Sequence, residues 1–282
     1  MAIYLVYLVL FIINGDVHNS HDDGPIKIMT YNIRLDHAGD NEDNWHYRKH
    51  DMVQFILLEN ADFIGVQEAL HHQVTYLDSC LIGYNYIGIG RDDGMTKGEY
   101  MSIFYKTESW ELLQDNTFWL SSDPSSPGIG WDAACNRVCT YGIFKNKANS
   151  SVISISNTHL DHVGKIARKN SIAMLEEHMV GRENDYPAVL MGDFNFTPDD
   201  SLYASICSNI SDSRNSTDVV VEDYSGTYNG FKQGIEHNRR IDYIFFDPSG
   251  VEVINYRVPA PETASGRHVS DHFPVIAEIK IK

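Results

Sequence analysis

Pro187-Ala188-Val189-Leu190-Met191-Gly192-Asp193-Phe194-Asn195 is an apolar run that stops at a glycine and continues at once with a carboxylate, an aromatic ring and an amide. The run reads as a buried strand, and a buried strand ending here carries Asp193 to the edge of a sheet rather than to a solvated helix face. The same grammar recurs in Met29-Thr30-Tyr31-Asn32, Val66-Gln67-Glu68, Asn157-Thr158-His159-Leu160 and Ser270-Asp271-His272, with Arg240-Ile241-Asp242-Tyr243 lying before the last of these. Each ends or follows a β-type run. Because the polar residues so delivered range from Asn32 to His272, they meet only if the chain closes into one unit. A single domain over residues 21–282 is therefore expected.

Outward from these anchors, runs at 26–33, 62–67, 84–90, 100–106, 110–114, 137–144, 152–156, 187–191, 241–246, 251–258 and 273–279 read as strands. Helical spacing marks 45–60, with Met52, Val53, Ile56 and Leu57 on one face, then 163–180 and a short stretch at 202–207. Strand runs outnumber helical ones, and the helices fall between groups of strands. That order predicts an α/β protein with two sheets packed face to face and helices outside. The Ser, Pro, Gly and Asp content of 120–136 predicts a long loop, of a length that often serves function in compact folds.

Of the 282 residues 43% are hydrophobic, enough for a sizeable core, and no Pro/Ser/Gly-rich linker or internal repeat divides them. Residues 2–13 are apolar and uncharged and give way to Asn14, Gly15 and polar residues. This is the pattern of a secretory leader, although the usual basic start is missing, and it is short for a membrane span. With residues 1–20 taken as signal peptide, a secreted protein without a transmembrane helix is expected. Four cysteines suit an oxidising compartment. Cys135 and Cys139 are close enough in sequence to close a small loop, which leaves Cys80 for Cys207, one of three connectivities. Sequons at Asn149, Asn209 and Asn215 fall in polar stretches suited to glycans. A further sequon headed by Asn195 coincides with the Asp193 segment, where a glycan is incompatible with a site.

The formal net charge of −17 argues against a tight, sequence-independent grip on long nucleic acid, which draws its affinity from Lys and Arg. No Gly-rich loop of the Gly-Lys-Ser/Thr type is present, and the Cys and His spacings lack a zinc pattern. What remains is oxygen and imidazole chemistry. A hard cation such as Mg²⁺ commonly takes one or two protein carboxylates and lets a substrate phosphate complete its shell, so Glu68 leads the metal-ligand candidates. Alone, a Glu after a strand is more often a surface carboxylate. His159 and His272 stand out from 13 histidines by context, since an imidazole at a strand end titrates near neutrality and can move a proton or steady phosphoryl charge. Asp193 and Asn195, at i and i+2, share a side if the strand continues. One then acts as base or metal contact and the other donates a neutral hydrogen bond; the ordinary alternative is a turn.

Taken together and in this order, the segments resemble the endonuclease/exonuclease/phosphatase superfamily over roughly residues 26–279. The resemblance implies a four-layer α/β sandwich, two packed mixed sheets flanked by helices, and Mg²⁺- or Mn²⁺-dependent hydrolysis of phosphoesters. By position, Glu68 matches the principal metal ligand, Asn32 the first-strand amide that helps hold metal-bound phosphate, and Asp271 the second metal-side carboxylate. His159 matches the histidine near the scissile phosphate, and Glu99, in Gly98-Glu99-Tyr100, the carboxylate that orients it. Asp193 and Asn195 match the pair that activates water and binds phosphate, and Asp242 and His272 match the paired carboxylate and terminal histidine. Arg91, Arg137 and Arg168 lie beside these motifs and are expected to contact substrate. So do Trp131, Asp161 and His162, for all of which a structural contact is the ordinary alternative.

The expected function is hydrolysis of a phosphate ester of a small molecule, a lipid or a short nucleotide, by a monomer. An endo- or exonuclease is the alternative and requires a basic groove beside the site despite the acidic total. A catalytically silent binding protein requires the loss of a core group. None of Asn32, Glu68, His159, Asp193, Asn195, Asp242 or His272 is missing.

Overall fold

Strand β8 (Ala188–Asp193) shows why the apolar runs are continuous rather than alternating. Val189 and Met191 face a core between two sheets, whereas Ala188 and Leu190 face a second core beneath a helix, so both faces are buried. The computed structural model describes residues 24–180, 186–224, 226–234 and 238–282. The leader expected at 1–20 lies outside them. Among the described residues, no helix is long and apolar enough to cross a membrane.

The remaining elements are β1 (Ile26–Asn32), α1 (Trp45–Glu59), β2 (Phe63–Ala69), α2 (His71–Cys80), β3 (Tyr84–Ile87), β4 (Tyr100–Lys106), β5 (Trp110–Trp119), β6 (Val138–Asn146), β7 (Val152–His159), α3 (Lys165–Val180), α4 (Ser201–Ile206), β9 (Ser211–Asp212), β10 (Val220–Asp223), β11 (Asp242–Phe246), β12 (Val251–Val258) and β13 (Val275–Ile281). Seven strands form one sheet in the order β10-β12-β13-β1-β2-β4-β3, and six form the other as β5-β6-β7-β8-β11-β9. Both sheets are mixed and share one plan. In β13-β1-β2-β4 and in β6-β7-β8-β11 the central pair is parallel and its outer neighbours are antiparallel. A helix returns the chain within each parallel pair, α1 from β1 to β2 and α3 from β7 to β8. The carboxyl ends of these strands deliver Asn32, Glu68, His159 and Asp193, the usual location of ligands in α/β sheets.

The inter-sheet core includes Phe63, Ile103 and Tyr105 from one sheet and Phe144, Ile155, Met191 and Ile244 from the other. Phe144 packs on Phe63 and Tyr105 with ring centroids 4.8 and 4.9 Å apart. Met52, Val53 and Ile56 of α1 cover one sheet from outside, and Ile172, Leu175 and Met179 of α3 cover the other. Leu57, expected on the buried face of α1, is 40% exposed, because it falls one position past that stripe. Residues 120–136 contain no strand or helix.

Three elements have no counterpart in the sequence reading. Helix α2 starts at Leu70 without a polar cap; the Gln73 side chain accepts the Leu70 N–H instead (3.1 Å), and few of its residues are buried. Strands β9 and β10 are short and lie at sheet edges. The expected disulfides are also absent: all four cysteines are free. Cys139 points into the core under α3, whereas the Cys135 thiol faces Asp161 at 3.8 Å. Cys80 packs with the α1 layer and Cys207 with the α3 layer, on opposite outer faces of the sandwich, beyond the reach of an S–S bond.

Candidate active site

Strand register assembles the first row of polar residues. Asp193 is paired with His159 on β7 and with Asp242 on β11, so three chemically active side chains stand side by side at one end of a sheet. Gly192 makes this possible. It sits at φ 150°, and a Cβ there would lie 2.0 Å from the Thr158 carbonyl oxygen. Beyond the strand, Asn195 adopts a left-handed φ of 52°. Its N–H bonds Asp193 Oδ1 (2.9 Å), and its side-chain amide reaches His159 Nε2 and the Leu160 carbonyl, both at 3.0 Å.

The other sheet supplies the facing wall. A bulge interrupts the β2–β4 ladder between Val66 and Ala69, and within it Glu68 takes a left-handed φ of 63°. Such a bulge re-aims a side chain, and here it turns a carboxylate toward the opposite sheet. Asn32 joins the walls: its Nδ2 donates to Glu68 Oε1 (2.9 Å) and Asp193 Oδ2 (3.1 Å). Its Oδ1 accepts the Arg34 N–H (3.0 Å), so the amide is held on both sides and its Nδ2 orients the two carboxylates. Below, Gln67 Nε2 donates to Asn157 Oδ1 across the sheets (2.6 Å), while Asn157 Nδ2 donates to the Val66 and Ser102 carbonyls (3.0 and 2.9 Å).

His272 closes the row. Its Nδ1 lies 2.8 Å from Asp242 Oδ2, which also accepts from Thr227 Oγ1 (2.5 Å), and its Nε2 lies 3.8 Å from Asp193 Oδ2. Burial opposes a charge on this imidazole. The Asp242 carboxylate, helped by Asp193 and Asp271, outweighs burial and raises its pKa well above the usual range. His159 goes the other way: burial, reinforced by Arg137 and Arg91, keeps it neutral. Burial and the negative charge of Asp242 push the Asp193 carboxyl up to about 7, against the pull of His272 and the Asn195 N–H. Groups with pKa values driven apart in one cleft are what acid and base roles require.

Glu68, His159, Asp193, Asn195 and His272 line a cleft of about 450 Å³, together with Arg34, Arg91, Glu99, Arg137, His162, Tyr228, Arg239 and Asp271, while Asn32 and Asp242 are buried just behind its wall. A hollow of about 540 Å³ lined by Phe55 and Arg257 holds none of them. Arg91 pairs with Glu99 at 2.7 and 2.8 Å, and Glu99 Oε2 lies 3.9 Å from His159 Nδ1, too far for a hydrogen bond. Arg137 Nε meets Asp161 Oδ2 (3.3 Å), and its Nη2 meets His162 Nδ1 (3.0 Å). Arg168, expected at the substrate, does not line the cleft. It is buried behind it and donates to the Asp161 carbonyl (2.7 Å), since the first turn of α3 faces the sheet there. Trp131 is also outside the cleft lining and is 41% exposed.

Arg34, Tyr228 and Arg239 escaped the sequence reading. Arg34 stands two residues after Asn32 with φ 60°, and Arg48 and Gln73 hold its carbonyl through hydrogen bonds of 2.8 and 3.0 Å. Its guanidinium pairs with Asp40 (2.9 Å) and lies 3.9 Å from both Glu68 and Asp271. Nearness to the Asn32 and Asp242 motifs was the available signal for Arg34 and Arg239. Tyr228 carried none.

Comparison with known proteins agrees with this geometry. The sequence profile of the Endonuclease/Exonuclease/phosphatase family matches residues 29–272, from the first strand to the terminal histidine. The chain belongs to this family. Among solved members, the endonuclease/exonuclease/phosphatase from Bacteroides vulgatus is 38% identical, with 91% of this chain and 99% of that one covered at a TM-score of 0.85. The mannosyl-6-phosphatase of Bacteroides thetaiotaomicron is 36% identical, with 90% and 99% covered and a TM-score of 0.85. Nocturnin of Drosophila melanogaster is 23% identical over 315 aligned positions, 91% of this chain. The chain spans about half, 47%, of that curated relative.

Family members generally use divalent metals, and the donor set suits a hard cation. Glu68, His159 and Asp193 bring ligand atoms within 4.8 Å of one another, with Asp271 nearby across Arg34. Burial raises the Asp271 carboxyl, and Glu68 adds to that effect, so the cleft gathers negative charge that a cation would relieve. Oxygen donors dominate and no cysteine takes part, which fits magnesium or manganese better than zinc.

Proposed function

We propose that the protein is a secreted, divalent-metal-dependent hydrolase of a small phosphate ester. The observation that carries this reading is the convergence on Asp193 Oδ2 of Asn32 Nδ2 (3.1 Å), His159 Nε2 (3.4 Å) and His272 Nε2 (3.8 Å), drawn from both sheets. Glu68 and Asp271 would hold Mg²⁺ or Mn²⁺, which supplies Lewis-acid stabilisation of phosphoryl charge. Asp193, with its raised pKa, takes a proton from the attacking water, and Asn32 and Asn195 fix its two oxygens. His272, held protonated by Asp242, offers a charged donor to the phosphoryl oxygens. Neutral His159, anchored by Asn195, positions a second imidazole on the opposite side of Asp193.

The relative named a mannosyl-6-phosphatase favours a small ester. A nuclease needs several cations free to meet a phosphate backbone, yet of the four guanidiniums described in the cleft Arg34, Arg91 and Arg137 are each paired with a carboxylate, which leaves Arg239. The purified protein with Mn²⁺ should turn over sugar phosphates or nitrophenyl phosphate, and Glu68→Ala should reduce the rate by several orders of magnitude with the circular dichroism unchanged. Full activity in Glu68→Ala would refute the site. Cleavage of DNA or RNA with no turnover of small esters would move the reading to the nuclease.

A further inference from the structure

Four guanidiniums line the cleft, and three are committed. Arg34 is paired with Asp40, Arg91 with Glu99 and Arg137 with Asp161, at 2.9, 2.7 and 3.3 Å. A cation beside its own carboxylate presents little net field to an incoming anion. Arg239 differs. Among the described residues it has no carboxylate within ion-pair distance, and it is exposed at the cleft. Its guanidinium lies over the Tyr228 ring at 5.0 Å, and that ring stands edge-on to His272 at 5.1 Å.

The backbone fixes this arrangement. The Arg239 carbonyl accepts the N–H groups of Thr227 and Tyr228 at 2.9 and 3.0 Å, and Tyr228 forms a β-bridge with His272. The adjacent Arg240 is turned away to Asp212 (2.6 Å) and the Tyr243 ring (4.5 Å), so only Arg239 faces the cleft. Stacking on an aromatic face orients a guanidinium without using its in-plane N–H donors. Among the described residues no carboxylate takes up those donors, which suit a planar or bidentate contact with phosphate oxygens.

We propose that Arg239, seated on Tyr228 beside His272, selects a phosphate monoester over a diester by binding the additional anionic oxygen. The proposal rests on the phosphoester-hydrolase reading above. A monoester carries close to two negative charges at neutral pH and three non-bridging oxygens, whereas a diester carries one charge. Glu68, Asp193 and Asp271 line the same cleft, with Asp242 buried behind His272, and the extra charge of a monoester must be held against them. Among the described residues that line the cleft, Arg239 is the guanidinium without a carboxylate partner.

The test compares wild type, Arg239→Gln and Arg239→Lys, as full-length protein with Mn²⁺, on nitrophenyl phosphate and bis(nitrophenyl) phosphate. Wild type should prefer the monoester. In Arg239→Gln the monoester-to-diester ratio of kcat/KM should fall on the order of 10- to 100-fold, mainly through KM, as expected for loss of a charge-assisted contact. Arg239→Lys should recover part of the ratio, since the charge remains but the planar fork does not. Equal losses on both esters, or an unchanged ratio, would overturn the proposal. If wild type hydrolyses neither ester, the hydrolase reading fails. Calorimetric binding of inorganic phosphate then decides on Arg239 alone: weaker binding in Arg239→Gln supports the anion contact, and equal binding removes it.

Discussion

Arg34 occupies the space between two carboxylates that a cation would favour, its guanidinium 3.9 Å from both Glu68 and Asp271 and tied to Asp40. A fixed positive charge there opposes a second one. Arg34→Gln should therefore tighten Mn²⁺ binding by about tenfold, measured by calorimetry. Weaker binding would mean that the guanidinium chiefly positions the carboxylates. Asp161 makes a different prediction. Burial raises its carboxyl, but the Gly164 and Val163 N–H groups (2.7 and 2.9 Å), Arg137 and the Ala134 N–H outweigh burial and hold it at about 2. A depressed folded-state pKa gives stability that is complete above the ordinary value of 3.8 and is lost as pH falls toward 2. Asp161→Asn should cost about 3 kcal/mol at neutral pH in urea unfolding, because Arg137 loses its buried partner. The difference from wild type should shrink between pH 4 and 2, and a constant difference would assign it to packing. At this scale the strand-end polar residues were legible in sequence, because each follows an apolar run that fixes its place. Arg34, Tyr228 and Arg239 sit off regular structure, where tertiary contacts decide direction. Arg168 misled, because nearness to the His159 segment does not say which way a helix turns its side chain.

Elements ending in a polar pair depend on their last apolar positions. Strand β8 can deliver Asp193 only if Gly192 lets the backbone pass against Thr158, whose carbonyl belongs to the paired strand and cannot move cheaply. Gly192→Ala should cost about 3 kcal/mol by thermal or denaturant unfolding, from overpacking and an unfavourable φ together. A neutral effect would show that the β7–β8 ladder has more give than its register implies. Most strands and the two long helices were readable from periodicity. Helix α2 was not, because its start lacks a polar cap and its core contribution rests on Val74 and Leu77 with a buried Gln73. Strands β9 and β10 exist through pairing with distant partners and carry no local pattern.

For the molecule as a whole, the arrangement of two sheets with outer helices followed from the order of strand and helix runs. The cysteine pairing did not, because the even count says nothing about which layer each side chain enters. With Cys80 and Cys207 in opposite outer layers, intact mass after alkylation in denaturant without reductant should show four modified thiols. Any smaller number would mean that a bond forms which this packing does not allow. The shared plan of the two sheets was equally invisible, since the strands repeat in geometry without repeating in residues.

The hydrogen bond between Gln67 and Asn157 ties one half of the molecule to the other at the floor of the cleft. In mechanical terms the sandwich is a vice with a welded gap. Loops at the rim can be exchanged to grip a new object, yet the distance between the jaws stays set by two interior amides. A designer seeking new specificity should leave that weld alone and work at the rim, because loosening it would widen the tolerance of every catalytic distance at once.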